Sequence, residues 1–156
     1  MEDKKKALLE LAEAFIKNEL ALDAYYGLCV DRIPEFKDQW LLLSAQERGH
    51  AGVFKKIMGS IEENPSKWTM GQYNAHVVNL MNGEIAQQIE EITKGEVVKR
   101  YIVTFAVGME ASMIERDIRH SFRTSLQEFQ VLLSKVADET AAHRQLLMDI
   151  DANLKE

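Results

Sequence analysis

The hexapeptide Gln46-Glu47-Arg48-Gly49-His50-Ala51 carries the most informative pattern in the sequence. Glu47 and His50 are three residues apart, and this spacing makes two side chains neighbours on one face of an α-helix. The same face continues in both directions with apolar residues at steps of three and four, namely Phe36, Trp40, Leu43, Phe54, Ile57 and Ile61. The pattern predicts a helix over roughly 36–62 whose buried stripe is interrupted by an acid and a histidine.

Three more segments carry a stripe of the same kind. They span roughly 5–31, 97–123 and 127–154, and in each the apolar residues recur at steps of three and four. This spacing is typical of the narrow seam along which the helices of a bundle pack. Polar residues interrupt these seams near the middle of each segment: Glu19, Glu110, Thr140 and His143. In a bundle, the interruptions should meet at one level.

The breaks between the segments predict how the helices are connected. Pro34 ends the first helix, and the short turn after it makes the second helix antiparallel to the first. Asn64-Pro65-Ser66 stops the second helix, and residues 70–93 contain a further helical piece that ends near Gly95. We therefore predict an all-α fold in one domain, residues 1–156. It is a four-helix bundle of the ferritin-like arrangement, with one long crossover connection that contains an extra helical segment.

A faint internal repeat relates the two helix pairs. Glu35-Phe36 precedes His50 by the same spacing with which Glu128-Phe129 precedes His143. The apolar residues between them share this register, which indicates that the two hairpins are versions of one unit.

Composition narrows the classes of function. The formal net charge of −6 argues against a nucleic-acid partner, because binding phosphates requires a basic face. The single cysteine, Cys29, excludes an intrachain disulfide and a Cys-x-x-Cys metal site. No apolar run approaches the roughly 18 residues of a membrane span, and the charged start carries no apolar signal core. We expect a cytoplasmic protein without membrane contact.

The polar residues of the seams predict a metal site. Burying several carboxylates costs free energy unless a cation compensates their charge. Glu-x-x-His alone is a weak pattern, but Glu47 and His50 lie in an apolar seam that should face Glu19, Glu110 and His143. Carboxylate oxygens and imidazole nitrogens are ligands that suit iron, and also manganese or zinc.

Several motifs resemble those of the rubrerythrins, which belong to the ferritin-like di-iron carboxylate proteins. Besides the hexapeptide around Glu47, they are Asn18-Glu19-Leu20 followed by Tyr26, the segment from Gly95 to Glu110, and the segment from Val136 to His143. The resemblance covers most of the chain, with residues 62–94 the least informative part. It implies a di-iron fold used for oxygen or peroxide chemistry, with these metal ligands: Glu19, Glu47, His50, Glu110 and His143.

The chain departs from this family at Thr140 and in its cysteine content. The family's fourth helix carries Glu-x-x-His, and here Thr140 occupies the Glu position. Full rubrerythrins also carry a rubredoxin domain with paired Cys-x-x-Cys motifs, which a sequence with one cysteine does not contain. Two ferrous ions carry four positive charges, whereas the three seam glutamates supply three negative ones. The second ion should therefore bind more weakly, near His143. Glu139 is the possible substitute ligand, although it lies about 100° off the seam.

Other titratable residues have plainer interpretations. Glu115 is a rival to Glu110 as the ligand from the third helix, but it lies off that helix's stripe, so we prefer Glu110. His76 and His120 have no partner in a seam and are predicted on the surface. Tyr26 is predicted as core packing, with a redox role as the alternative.

These observations lead to a functional prediction with two rivals. We predict an iron-dependent oxidoreductase or peroxide-scavenging protein that uses oxygen or peroxide, receives electrons from an unidentified donor and forms a homodimer. The first rival is a metal-binding protein without turnover that holds one ion or two unlike ions. The second is a vestigial ferritin-like scaffold that serves protein contacts.

Overall fold

The structure, a computed structural model, describes residues 2–112, 115 and 117–155. Over these residues the chain is all-α, apart from a small two-stranded antiparallel ladder. The five α-helices are α1 (Glu2–Arg32), α2 (Lys37–Glu63), α3 (Ala75–Thr93), α4 (Lys99–Glu110) and α5 (Gln127–Asn153); the strands are β1 (Trp68–Met70) and β2 (Phe122–Thr124). None of the helices in this part of the chain is long and apolar enough to cross a membrane.

The predicted helices at 5–31, 36–62 and 127–154 are confirmed as α1, α2 and α5. A 3₁₀ turn, Pro34–Phe36, connects α1 to α2, and Trp40 closes it by donating its indole N–H to the Ile33 carbonyl at 3.0 Å. α1 packs along α2 and α3, and α4 packs against α5, which also contacts α2. The extra helical segment is α3, and Gly95 follows its end with a φ of +80°, a backbone conformation that favours glycine.

The third predicted helix, 97–123, is confirmed as α4 over Lys99–Glu110, but it is not one continuous helix to residue 123. α4 ends at Glu110, a 3₁₀ turn spans Ile118–His120, and β2 follows; residues 113, 114 and 116 of the prediction lie outside the described residues. The reason is tertiary. β2 pairs with β1, which buries Phe122 edge-on against Trp68, with their ring centroids 6.0 Å apart. Packing of this kind overrides helical periodicity.

The apolar core consists of two clusters with a polar layer between them. Along α1, Phe15 belongs to one cluster and Leu22 to the other, and Glu19 lies between. The same order holds in α2 and α5, where the polar pairs 47/50 and 140/143 separate residues of the two clusters. The interruptions of the sequence pattern therefore do lie at one level of the fold.

Candidate metal centre

The structure brings together all five residues predicted as metal ligands. Each is at most 2% exposed: Glu19 from α1, Glu47 and His50 from α2, Glu110 from α4 and His143 from α5. They form two groups that share Glu47, one with Glu19 and His50 and the other with Glu110 and His143. Within each group, one ligand atom of every residue lies within 4.8 Å of the others.

Glu47 lies between the two histidines. Its Oε1 is 2.8 Å from His143 Nδ1, and its Oε2 is 3.8 Å from His50 Nδ1. The outer acids complete the two groups, because Glu19 Oε2 is 3.6 Å from His50 Nδ1 and Glu110 Oε1 is 3.5 Å from His143 Nδ1. Each histidine therefore directs its Nδ1 at two carboxylates, one of which is shared.

The ligand atoms are buried and lack hydrogen-bond partners in the described part of the chain. This holds for both oxygens of Glu19, for Oε2 of Glu47 and Glu110, and for Nδ1 of His50. Nδ1 of His143 also makes no hydrogen bond, although it lies within ion-pair distance of Glu47 Oε1. A buried polar atom left unpaired costs about 1–3 kcal/mol, and more when it is charged. Ionised carboxylates only accept hydrogen bonds, so they cannot satisfy one another. A cation satisfies all of these lone pairs at once, and the donor set therefore fits a metal.

The electrostatics of the cluster point the same way. Burial raises the pKa of Glu19 well above its ordinary value, and the charge of Glu47 raises it further. Burial likewise raises the pKa of Glu47, with Glu110 adding to the effect. Without a cation, these acids hold protons at a pH where exposed glutamates are ionised. A divalent cation would reverse this preference, because it binds the ionised form.

Tyr26 and Thr140 also place their side chains in the polar layer, and the sequence did not predict the contact that Tyr26 makes there. Tyr26, predicted as core packing, is fully buried, and its phenol donates to Glu110 Oε1 at 2.7 Å. Burial and the charge of Glu110 raise its pKa well above the ordinary value, so the phenol keeps its proton and remains a donor. Tyr26 therefore orients Glu110. The side chain of Thr140 is also buried there, with Oγ1 unpaired among the described residues.

Glu115, the rival of Glu110, is buried at the same centre. It is 2% exposed, and Oε1 has no hydrogen-bond partner in the described residues. Burial raises its pKa well above the ordinary value, and the charges of Glu19 and Glu110 raise it further. The charge of Arg144 lowers the pKa but does not offset these effects. The sequence argument placed Glu115 off the stripe because it assumed one continuous helix. Since α4 ends at Glu110, the register of that helix does not extend to Glu115. Glu110 belongs to one of the two groups, whereas Glu115 belongs to neither and reaches the centre through its charge.

Glu139 lies behind His50, on the side away from Glu19 and Glu47. Its Oε1 is 2.9 Å from His50 Nε2, and it belongs to neither group of candidate ligands. Burial lowers the pKa of His50, but Glu19 and Glu139 outweigh this effect, and the pKa is raised overall. The structure thus gives Glu139 a contact with a predicted ligand. On the surface, His76 and His120 are exposed, as predicted.

Comparison of the chain with protein-family models, with curated proteins and with solved structures found no match. The buried groups of glutamates and histidines are therefore the feature of this chain that indicates a function.

Proposed function

We propose that this chain is a ferritin-like metal protein of the rubrerythrin type, which holds two divalent cations in its polar layer. The observation that carries the proposal is the pair of buried groups that share Glu47 and whose ligand atoms lack partners in the described residues. One ion would lie between Glu19, Glu47 and His50. The other would lie between Glu47, Glu110 and His143. Iron is the first candidate, and manganese or zinc are alternatives with the same ligand preferences.

Charge balance supports a site for two ions. Two divalent cations carry four positive charges, and a low-dielectric core tolerates little net charge. Glu19, Glu47 and Glu110 supply three negative charges, and the buried Glu115 supplies the fourth. Glu115 would thus replace the acid that the family carries at the position of Thr140.

The connections between the helices support the ferritin-like arrangement. α1 and α2 form one pair and α4 and α5 the other, and the residues between α2 and α4 contain α3. This is the order of a four-helix bundle with one long crossover. The two apolar clusters on either side of the layer would then enclose a single site in one domain.

The chemistry of the proposed function is oxidation of iron by oxygen or peroxide. Ferrous iron held by the glutamates and histidines would supply electrons to oxygen or peroxide, and an external donor would have to return them. The residues of the chain have separate tasks. The glutamates and histidines hold the ions, and Tyr26 keeps Glu110 in place through its hydrogen bond. The apolar clusters exclude bulk water from the layer, which strengthens each electrostatic contact.

The decisive experiment counts metal ions in the protein. Chelator-treated protein is titrated anaerobically with ferrous iron, and metal is measured after gel filtration. We expect two ions per chain in the wild type and none retained in Glu47→Ala, because Glu47 belongs to both groups. Glu13→Ala, which removes an exposed acid of α1, is the matched control and should retain both. Equal retention in Glu47→Ala and the wild type would contradict the proposal.

A second candidate function is metal binding without turnover. Thr140 favours it, because a neutral hydroxyl adds no charge and is a poor ligand for iron. In that case the Glu19, Glu47 and His50 group would hold one ion, and peroxide would not be consumed. The same titration, followed by peroxide addition, separates the two candidates. A chain that binds no stoichiometric metal would instead be a ferritin-like scaffold for protein contacts.

A further inference from the structure

Each histidine of the centre is held from behind by a side chain of the opposite helix. His50 in α2 contacts Glu139 of α5, with Nε2 2.9 Å from Oε1. His143 in α5 contacts Gln46 of α2, with Nε2 2.6 Å from Oε1. In both helices the supporting residue stands four positions before the histidine of its own helix. Each of the two helices thus supplies the residue that contacts the other helix's histidine, and the two contacts occupy equivalent sequence positions.

These contacts select the nitrogen that faces the metal groups. A carboxylate or amide oxygen accepts a hydrogen bond, so Glu139 Oε1 and Gln46 Oε1 favour the tautomer that carries its hydrogen on Nε2 when a cation occupies the Nδ1 side. In a neutral imidazole the lone pair is then on Nδ1, and Nδ1 is the atom that both histidines direct at the glutamates. Histidines that bind metals are commonly fixed in this way by an oxygen on the other nitrogen.

The two supports differ in charge but are similar in shape. Glu139 places a carboxylate behind His50, whereas Gln46 places a neutral amide behind His143. A carboxylate that accepts the hydrogen bond from Nε2 makes the imidazole a stronger electron donor to a cation on Nδ1 than a neutral amide oxygen does. Both side chains lie at the margin of the core, where an exchange of carboxylate for amide changes little in the packing.

We propose that Glu139 and Gln46 are positioning residues that make the two metal positions unequal, with the position of His50 the tighter one. The inference rests on the proposed function, since it requires two ions in the layer. Partners of this kind change metal affinity by about 10- to 100-fold. The difference in metal affinity between the two positions would then come from residues that contact the ligands and not from the ligands themselves.

The test exchanges the two supports. Chelator-treated protein is titrated with Co²⁺ alone, and both binding and the visible spectrum of the bound ion are followed. The wild type should bind two ions of unequal affinity. Glu139→Gln should weaken the tighter position by about 10- to 100-fold, and Gln46→Glu should tighten the weaker one by a comparable factor. The double exchange, Gln46→Glu with Glu139→Gln, should restore the inequality in reverse order.

Single-histidine backgrounds assign the effects to positions. In His143→Ala, which keeps the position of His50, Glu139→Gln should weaken the remaining ion, and in His50→Ala it should have no effect. Asp138→Asn is the matched control, because it removes the same charge from the neighbouring, 76% exposed residue without touching a histidine. Far-ultraviolet circular dichroism of each metal-free variant checks that the fold is intact.

The outcomes separate the two claims. If the wild type binds no stoichiometric metal, both this inference and the proposed function are overturned. If it binds two ions but Glu139→Gln behaves like Asp138→Asn, the positioning role is overturned and the proposed function stands. Loss of affinity in both single-histidine backgrounds would also overturn it, because it would show a general effect of charge.

Discussion

Glu115 is a fourth buried acid in the polar layer, beside Glu19, Glu47 and Glu110. It lies five residues beyond the end of α4, and its backbone N–H donates to Ser112 Oγ at 3.3 Å. Its carboxyl group is nevertheless buried, and burial raises its pKa, with the charges of Glu19 and Glu110 raising it further. At the scale of single residues, the layer therefore has a buried acid beyond the end of α4, whereas the fourth seam offers only Thr140.

The first residue-scale prediction concerns this exchange. Glu115→Gln should weaken the second ion by about 3–5 kcal/mol, the range for removing one partner of a buried charge pair. Thr140→Glu alone adds a fifth buried acid, so it should lower the melting temperature of the metal-free protein without adding a third ion. The double variant should recover binding of the second ion. Metal titration of the three variants checks this, and Glu115→Gln that binds two ions with wild-type affinity would contradict it.

The second residue-scale prediction concerns Tyr26. Tyr26→Phe removes the phenol that donates to Glu110 Oε1 and leaves the ring packing unchanged. We expect weaker binding at the position of His143, to which Glu110 belongs, and unchanged binding at the position of His50. The loss should be about 1.5–3 kcal/mol, typical of a hydrogen bond to a charged group. Anaerobic titration in the single-histidine backgrounds measures it; equal losses at both positions would argue against this role of Tyr26.

At the scale of elements, the sequence predicted the long helices well because their stripes are continuous. α1, α2 and α5 bury one face along their whole length. Their apolar residues therefore recur with the helical period of about 3.6 residues, which is visible in the sequence. The same stripes located Glu47 and His50, since a polar residue inside an apolar seam is conspicuous.

The segment after α4 could not be predicted in this way. Its structure depends on the pairing of Met70 with Phe122, residues far apart in the chain, and local periodicity carries no information about such contacts. Glu115 was therefore compared with the stripe of one continuous helix, whereas α4 ends at Glu110. The supports of the histidines were missed for a related reason. They are contacts between α2 and α5 whose partners lie one position outside the seams.

The prediction at this scale tests the strand pair through Gly71. Its N–H donates to the Ser121 carbonyl at 3.2 Å, and a Cβ there would collide with the backbone of His120 and Ser121. Gly71→Ala should cost about 1–3 kcal/mol of stability, as overpacking typically does. It should also weaken the second ion, because the pairing fixes the segment that carries Glu115.

Gly59→Ala is the control for this variant. A Cβ at Gly59 meets open space on α2, so the change should stabilise the protein by about 0.5–1 kcal/mol. Denaturant unfolding of both variants gives the comparison. If Gly71→Ala were as stable as Gly59→Ala, the strand pair would not be the element that restrains the segment.

At the scale of the whole molecule, the metal-free protein contains acids that resist ionisation between two apolar clusters. Burial raises the pKa values of Glu19, Glu47 and Glu115 in the folded state, whereas in the unfolded chain they return to ordinary values. As the pH rises past the ordinary value, the unfolded state loses these protons first. The folded state then binds more protons than the unfolded one, so stability falls with increasing pH across that window.

The last prediction follows from this linkage. The metal-free protein should melt at a lower temperature near pH 8 than near pH 5, and Glu19→Gln, which removes one of the buried acids, should show a shallower decline. Glu13→Gln, an exposed acid of the same helix paired with Lys17, should keep the wild-type slope. Metal should reverse the trend, because the ion binds ionised carboxylates and stabilises the folded state by mass action, by about 2.7 kcal/mol at a hundred times its dissociation constant. Melting curves over the pH range, with and without Zn²⁺, measure both effects. Identical slopes for Glu19→Gln and Glu13→Gln would mean that the buried acids are not the groups that link folding to pH. A melting temperature that Zn²⁺ leaves unchanged at pH 8 would show that the buried acids do not form a metal site.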